Sequence, residues 1–314
     1  MSVHSIDGSE AAVRASAVGK RYRRQWALRD CSFALPPGSI TGLVGANGAG
    51  KTTLMSLVSG LLRPTAGRVL VGGSSPAVTQ QPAGRVTMLA QEKPLYRRFT
   101  VADMVRFGRH TNLIWDQERV VSWLRRFDVP LDRPCGKLSG GQQAHVALAI
   151  AVGGRPAVLL LDEPMANLDP LARREAAGEL LANVADTGMT VVLSTHVTTE
   201  LVGTIDRLLL LRDGELQLAG DVDELLGLHV ERMGPPSAVP PGPGEIVQER
   251  RTERQASFVV RLPDGSGRMP ATADPRWTTR PLTLEELVIA YLRSSDGLAA
   301  NANRPHNTPR ETRG

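Results

Sequence analysis

Gly45-Ala46-Asn47-Gly48-Ala49-Gly50-Lys51-Thr52-Thr53 is the stretch on which the reading of this chain turns. It follows the apolar run Ile40-Thr41-Gly42-Leu43-Val44 and leads into Leu54-Met55-Ser56-Leu57-Val58, which has helical character. The spacing G-x-x-x-x-G-K-[ST] between a strand and a helix marks a phosphate-binding loop. Glycines let successive backbone N–H groups curl around an anion, and the following helix points its positive end at it. Lys51 can then reach the terminal phosphates as a point charge, and the Thr52 hydroxyl can complete a magnesium shell. For that role Lys51 is expected to project from the loop into solvent or ligand. The chain has 37 lysines and arginines, of which only Lys20, Lys51, Lys93 and Lys137 are lysines. A lysine inside the glycine loop is therefore not generic charge, because a planar guanidinium cannot replace a compact ammonium there.

At 314 residues the chain can bury a full α/β core and still carry an appendage. No run approaches the ~20 apolar residues needed to span a bilayer, and residues 1–12 read as a polar, disordered leader without a secretory core. Cys31 and Cys135 are too few for a disulfide framework, which makes a reducing cytoplasm the default. The formal charge of +5 could serve an anionic partner. No helix-turn-helix or RNA-binding signature accompanies it, so no nucleic-acid partner is expected.

Outward from the loop, short strands are expected at 15–22, 31–34, 67–71 and 85–89. Tyr22, one of only three tyrosines, could stack on a base or be a half-buried strand residue. Gln91 follows the last of these strands, where an amide could touch magnesium or water. The apolar positions of 100–127 have helical spacing and suggest a separate lobe. Leu138-Ser139-Gly140-Gly141-Gln142 opens another helix, with Ser139 as N-cap and glycine N–H groups accessible to an anion. Ala157-Val158-Leu159-Leu160-Leu161 reads as the middle of a parallel sheet and delivers Asp162 and Glu163 at its C-terminal end, the edge where such sheets bind ligands. Thr190-Val191-Val192-Leu193-Ser194 is a second buried strand and brings His196 to the same edge.

In this order the motifs resemble the ATP-binding-cassette (ABC) ATPase family over about residues 13–228. They correspond to Walker A (45–53), the Q-loop Gln91, the LSGGQ signature (138–142), Walker B ending in Asp162-Glu163, a D-loop (166–169) and the switch His196. The resemblance implies an α/β P-loop NTPase core, a mostly parallel sheet flanked by helices, with an antiparallel β edge and a helical lobe at about 93–150. It further implies ATP and Mg²⁺ as ligands. Gly45, Ala46, Asn47, Gly48, Ala49, Gly50, Lys51, Thr52 and Thr53 would cradle the phosphates, and Tyr22 would stack on adenine. Thr52, Gln91 and Asp162 would attend the metal, Glu163 would be general base, and Lys51, Gln91 and His196 would complete the catalytic set. Ser139, Gly140, Gly141 and Gln142 would act on ATP held by a second ATPase subunit, so two chains would sandwich two nucleotides. Departures from the common pattern are Gln143-Ala144-His145 after the signature, where an arginine is frequent, and Met165-Ala166-Asn167-Leu168-Asp169 in the D-loop.

Beyond the cassette, 229–244 reads as a proline-rich linker. A small α+β accessory domain is expected at 245–293, with strands at 245–249 and 256–262 and a helix at 284–291, followed by a disordered tail from 294. Such extensions resemble those on ATPase subunits of exporters with separately encoded permeases. The resemblance thus implies a peripheral subunit on the cytoplasmic membrane face, partnered by membrane-spanning permease subunits, with export as the expected direction. A soluble relative acting on nucleic acid or ribosomes is the competing reading. It is disfavoured because the chain carries one cassette and has no room for a long coiled coil between 56 and 137.

Overall fold

The computed structural model describes residues 11–76, 85–92, 95–166, 168–195, 202–236, 239–263 and 274–294. The chain divides into two compact units, with the boundary between Ala219 and Gly220.

The first unit opens with an antiparallel hairpin, β1 (Val13–Tyr22) and β2 (Gln25–Leu35). β3 (Ile40–Val44) is buried at all five residues and runs into the glycine loop and α1 (Lys51–Val58). β4 (Ala66–Val71) pairs antiparallel with β1 and completes a three-stranded sheet. After β5 (Val86–Leu89) the chain turns helical, as its apolar spacing predicts, in two pieces rather than one. α2 (Val101–Thr111) starts at a Thr100/Asp103 capping box, and α3 (Gln117–Arg126) restarts at Asp116, whose carboxylate accepts from the Arg119 N–H. α4 (Gly140–Gly153) begins at a second capping box, Ser139 with Gln142.

β6 (Val158–Asp162), α5 (Pro170–Thr187), β7 (Thr190–Thr195), β8 (Arg207–Arg212) and β9 (Glu215–Asp221), which runs across the boundary, complete the unit. The main sheet has the order β5-β6-β7-β3-β8-β9, and its first five strands are parallel. Their near-continuous apolar runs suit strands covered on both faces. β9 returns from β8 through the turn Asp213-Gly214, both at positive φ (52° and 80°), which reverses the edge strand. Parallel strands end together: Val44 lies opposite Thr195, and Asp162 opposite Ser194. That shared C-terminal edge positions the site.

The second unit contains α6 (Val222–Gly227), β10 (His229–Gly234), β11 (Glu245–Arg251), β12 (Ala256–Arg261), β13 (Thr278–Pro281) and α7 (Leu284–Arg293). Its antiparallel sheet has the order β11-β12-β10-β13. The stretch 229–244 is therefore not a linker throughout. Its first six residues form an inner strand bonded on both sides, and the unit begins at 220. The polar letters of β10 conceal this because its charged side chains find tertiary partners: Glu231 pairs with Arg280 and accepts from the Ser257 hydroxyl. On the other face Arg232 lies among Val230, Phe258 and Val260 and donates to the Pro243 carbonyl at 3.0 Å. His229 donates through Nδ1 to the Leu225 carbonyl (2.6 Å) and accepts the Tyr291 hydroxyl at Nε2 (2.8 Å). Burial pushes the His229 pKa down to about 4 and that of Tyr291 up to about 12.

Candidate functional site: the phosphate loop and the carboxylate edge

The glycine loop is shaped by close backbone approach. A Cβ on Gly45 would stand 2.4 Å from the Leu211 carbonyl oxygen, and one on Gly50 2.7 Å from that of Ala27, so the loop is seated between β8 and β2. Gly50 has φ 107° and caps α1 without a side chain, leaving the first N–H groups of the helix uncapped by any side chain. Gly48, at the tip, has open space within 4 Å of where its Cβ would be, while Ala46 and Asn47 are exposed and Ala49 is buried.

Lys51 does not project into solvent as expected. It is 7% exposed, and its ammonium lies in the hollow of the loop, donating to the carbonyls of Gly45 (2.7 Å) and Ala46 (3.2 Å). The reason is local: a desolvated ammonium takes whatever carbonyls are within reach. Burial lowers its pKa, while Glu163 and Asp162 pull the other way.

The two carboxylates are held very differently. Asp162 is buried; one oxygen accepts from the Thr52 hydroxyl at 2.6 Å and the other from the Ser194 hydroxyl. Ser194 Oγ in turn accepts from the Glu163 N–H at 3.0 Å, and the same N–H reaches the Ser194 carbonyl at 3.2 Å. Glu163 sits at φ 48°, the left-handed region that a residue with a Cβ enters at a cost of order 1–3 kcal/mol. This turn, following directly on β6, is held by the Glu163 N–H donating to both the hydroxyl and the carbonyl of Ser194. The Thr52 hydroxyl against a fixed carboxylate is an oxygen pair of the kind Mg²⁺ takes, so the chain's residues fit that metal.

The remaining candidates are less concentrated. Gln91 is exposed in the turn after β5, at the same sheet edge, and makes no hydrogen bond to Thr52 or Asp162. His196 lies outside the described residues, directly after the buried Thr195. Tyr22 ends β1 at 47% exposure, with the Lys20 ammonium 5.5 Å from its ring. Trp26 is half-buried over Gly19 and under the Arg21 guanidinium, so Tyr22 is the freer ring. Ser139 accepts from the Gln142 N–H, Gly140 is exposed, and among the described residues no hydrogen bond joins 139–142 to the loop 45–53. Met165 and Leu168 of the D-loop pack with Ala144 and Ala176, beside both α4 and α5.

Sequence reasoning missed two residues. Ser194 ties both carboxylate positions together; its signal was a hydroxyl ending an apolar strand beside the one that delivers Asp162. Arg173 braces the D-loop, its Nε donating to the carbonyls of Met165 (3.2 Å) and Leu168 (2.8 Å), and nothing in the sequence marked it.

Known proteins of similar sequence and fold bear on the family. A family model described as ABC transporter matches residues 28–166. The energy-coupling factor transporter ATP-binding protein EcfA2 of Symbiobacterium thermophilum is 37% identical over 228 residues, covering 68% of this chain and 79% of that protein. The Fe(3+) ions import ATP-binding protein FbpC of Rhizobium etli is 35% identical over 215 residues, covering 66% of this chain and 60% of that protein. This chain thus spans about three fifths of the iron-import relative's length. Among solved structures, cbiO1 from Clostridium perfringens, part of the ABC transporter complex cbiONQ, matches at a TM-score of 0.60 and 26% identity, over 69% of this chain and 90% of that one. A buried-lysine phosphate loop, an aspartate bridged to it by Thr52, and these relatives together lead to one conclusion: the chain belongs to the ABC transporter family.

Proposed function

We propose that this chain binds and hydrolyses ATP as the motor subunit of a membrane transporter whose permease is a separate polypeptide. The observation that carries the reading is the chain of contacts Thr52–Asp162–Ser194–Glu163, which links the phosphate loop to a carboxylate held at positive φ. In this reading the loop amides and Lys51 bind the β- and γ-phosphates, and Tyr22 stacks on adenine. Thr52, Asp162 and Gln91 would hold Mg²⁺, which neutralises charge on the phosphates when bound. Glu163 orients water and takes its proton, and His196 contacts the γ-phosphate. Ser139, Gly140, Gly141 and Gln142 close on ATP held by a second cassette. The exposed, serine-capped start of α4 and, among the described residues, the lack of a hydrogen bond from 139–142 to the loop support that two-chain assignment.

Coupling to a permease rests on the lobe. Tyr96, Phe99 and Phe107 form an exposed aromatic cluster shortly after Gln91, with ring centroids 5.1 and 5.4 Å apart. In a chain that is 4% aromatic, such a cluster is an apolar seat for a partner. On direction, the one relative named above that states one, FbpC, is an iron-import protein and gives no support to the export expected from the C-terminal extension.

The deciding variant is Glu163→Gln. Glutamine keeps the shape but cannot accept a proton, so general-base assistance of about 10²–10⁴-fold should vanish while ATP still binds. Size-exclusion chromatography with light scattering should then show a Mg-ATP-dependent shift from monomer to dimer. Wild-type turnover in this variant would remove Glu163 from the mechanism. An ATP-loaded variant that stays monomeric would refute the two-chain sandwich for the isolated subunit.

A further inference from the structure

A cleft of about 160 Å³ opens within the second unit, between the face of its sheet and α7. Its floor is a single rung across all four strands: Gln248 lies opposite Val259, Val259 opposite Glu231, and Glu231 opposite Arg280. Directly opposed residues share a face. The adjoining rung contributes Arg250 opposite Ser257. α7 supplies the roof through Glu286, Ile289 and Arg293, spaced three and four residues apart and so on one helix face, with Leu282 just before it.

The charges here divide into satisfied and unsatisfied groups. Arg280 forks onto Glu286 with two bonds, at 2.7 and 3.0 Å, and also meets Glu231. Glu231 takes the Ser257 hydroxyl on its other oxygen. Glu286 additionally accepts the Thr283 N–H at 2.9 Å. Both carboxylates are thereby ion-paired with the chain's own Arg280. Arg250 and Arg293 are exposed at the cleft, and among the described residues neither has a hydrogen bond or ion pair. Two free guanidiniums beside the apolar surface of Val259, Leu282 and Ile289 form a recognition pattern. A fork of N–H donors matches a carboxylate, and the hydrocarbon wall matches an apolar body.

We propose that this cleft binds a small organic carboxylate with an apolar body of about six carbons, its carboxylate held by Arg250 and Arg293. Size supports the choice, since an apolar cavity of about 150 Å³ accommodates a benzene ring. The cleft lies wholly within the second unit, so occupancy does not require the nucleotide site.

The test is isothermal titration of the full chain with benzoate, benzamide and acetate. Benzoate should bind saturably with a stoichiometry of one. Benzamide, the same shape without the charge, and acetate, the charge without the ring, should each bind at least tenfold more weakly. The double variant Arg250→Gln/Arg293→Gln removes two exposed side chains and should fold normally by circular dichroism. It should lose at least tenfold in benzoate affinity, while Lys51→Met should bind benzoate as the wild type does. Absence of saturable benzoate binding, equal binding of benzamide, or unchanged affinity in the double variant would each overturn the proposal. A loss in Lys51→Met alone would do so too, because it would place the benzoate in the phosphate loop.

Discussion

Among the described residues, each of the two units buries one long cationic side chain, and their surroundings are opposite. Lys51 in the first unit is 7% exposed and has two loop carbonyls on its ammonium, with Asp162 and Glu163 supplying negative field. Arg232 in the second is 1% exposed, has one carbonyl, and leaves Nε and Nη1 without a partner among apolar neighbours. Burial lowers the pKa of both. Desolvation is therefore common to the two, and what differs is the supply of acceptors. Where acceptors are borrowed from the carbonyls of a glycine loop, an incoming phosphate can displace them. Where they are missing in a packed core, the cation is a local cost to stability.

Lys51→Met should break the comparison most severely. ATP hydrolysis is expected to fall by about 10²–10³-fold, the loss typical of one preorganised donor to a developing anion. The fold should persist by circular dichroism, because methionine fills the hollow. Retained turnover would mean that the ammonium is structural like Arg232.

Acid should separate the units next. His229 has a folded pKa of about 4 against about 6.5 unfolded, so the unfolded state binds the proton first as pH falls. Its contribution is fully present above pH 6.5 and is lost between 6.5 and 4, amounting to about 3 kcal/mol. Tyr291, raised from 10 to about 12, contributes below pH 10 and loses that contribution between 10 and 12. Amide protection factors in β10 and α7 should therefore fall at pH 5 before those in β3 and β6. Uniform loss of protection across both units would contradict the assignment.

Arg232→Met tests the second cation directly. Replacing an under-satisfied buried charge by an apolar side chain of similar length should stabilise the second unit by about 1–4 kcal/mol. Denaturant melts followed through amide exchange on β10 and β12 would read it. Destabilisation would show that the single bond to Pro243 outweighs desolvation. The smallest expected effect is that of Tyr22→Ala, a loss of about 0.5–1.5 kcal/mol in ATP affinity by titration. An unchanged affinity, with the loss found in Trp26→Ala instead, would move the stack to the indole.

The local letters determined the nucleotide edge. Strand, glycine loop and helix are contiguous in 40–58, and the apolar runs at 157–161 and 190–194 declare strands of a covered parallel sheet. Their C-terminal ends must then meet, because parallel strands begin and end together. What only the tertiary structure decided were matters of partners. Lys51 turned inward because loop carbonyls stood within reach, and Ser194 gained its role from a strand pairing at a separation of 32 residues. The helical stretch 100–127 broke at 112–116 because Asp116 starts a new cap. β10 read as linker because Glu231 and Arg232 look solvated in a sequence. In the fold Arg232 is buried and Glu231 half-buried: Arg280 and Ser257 take the place of water around Glu231, while Pro243 replaces it only in part around Arg232.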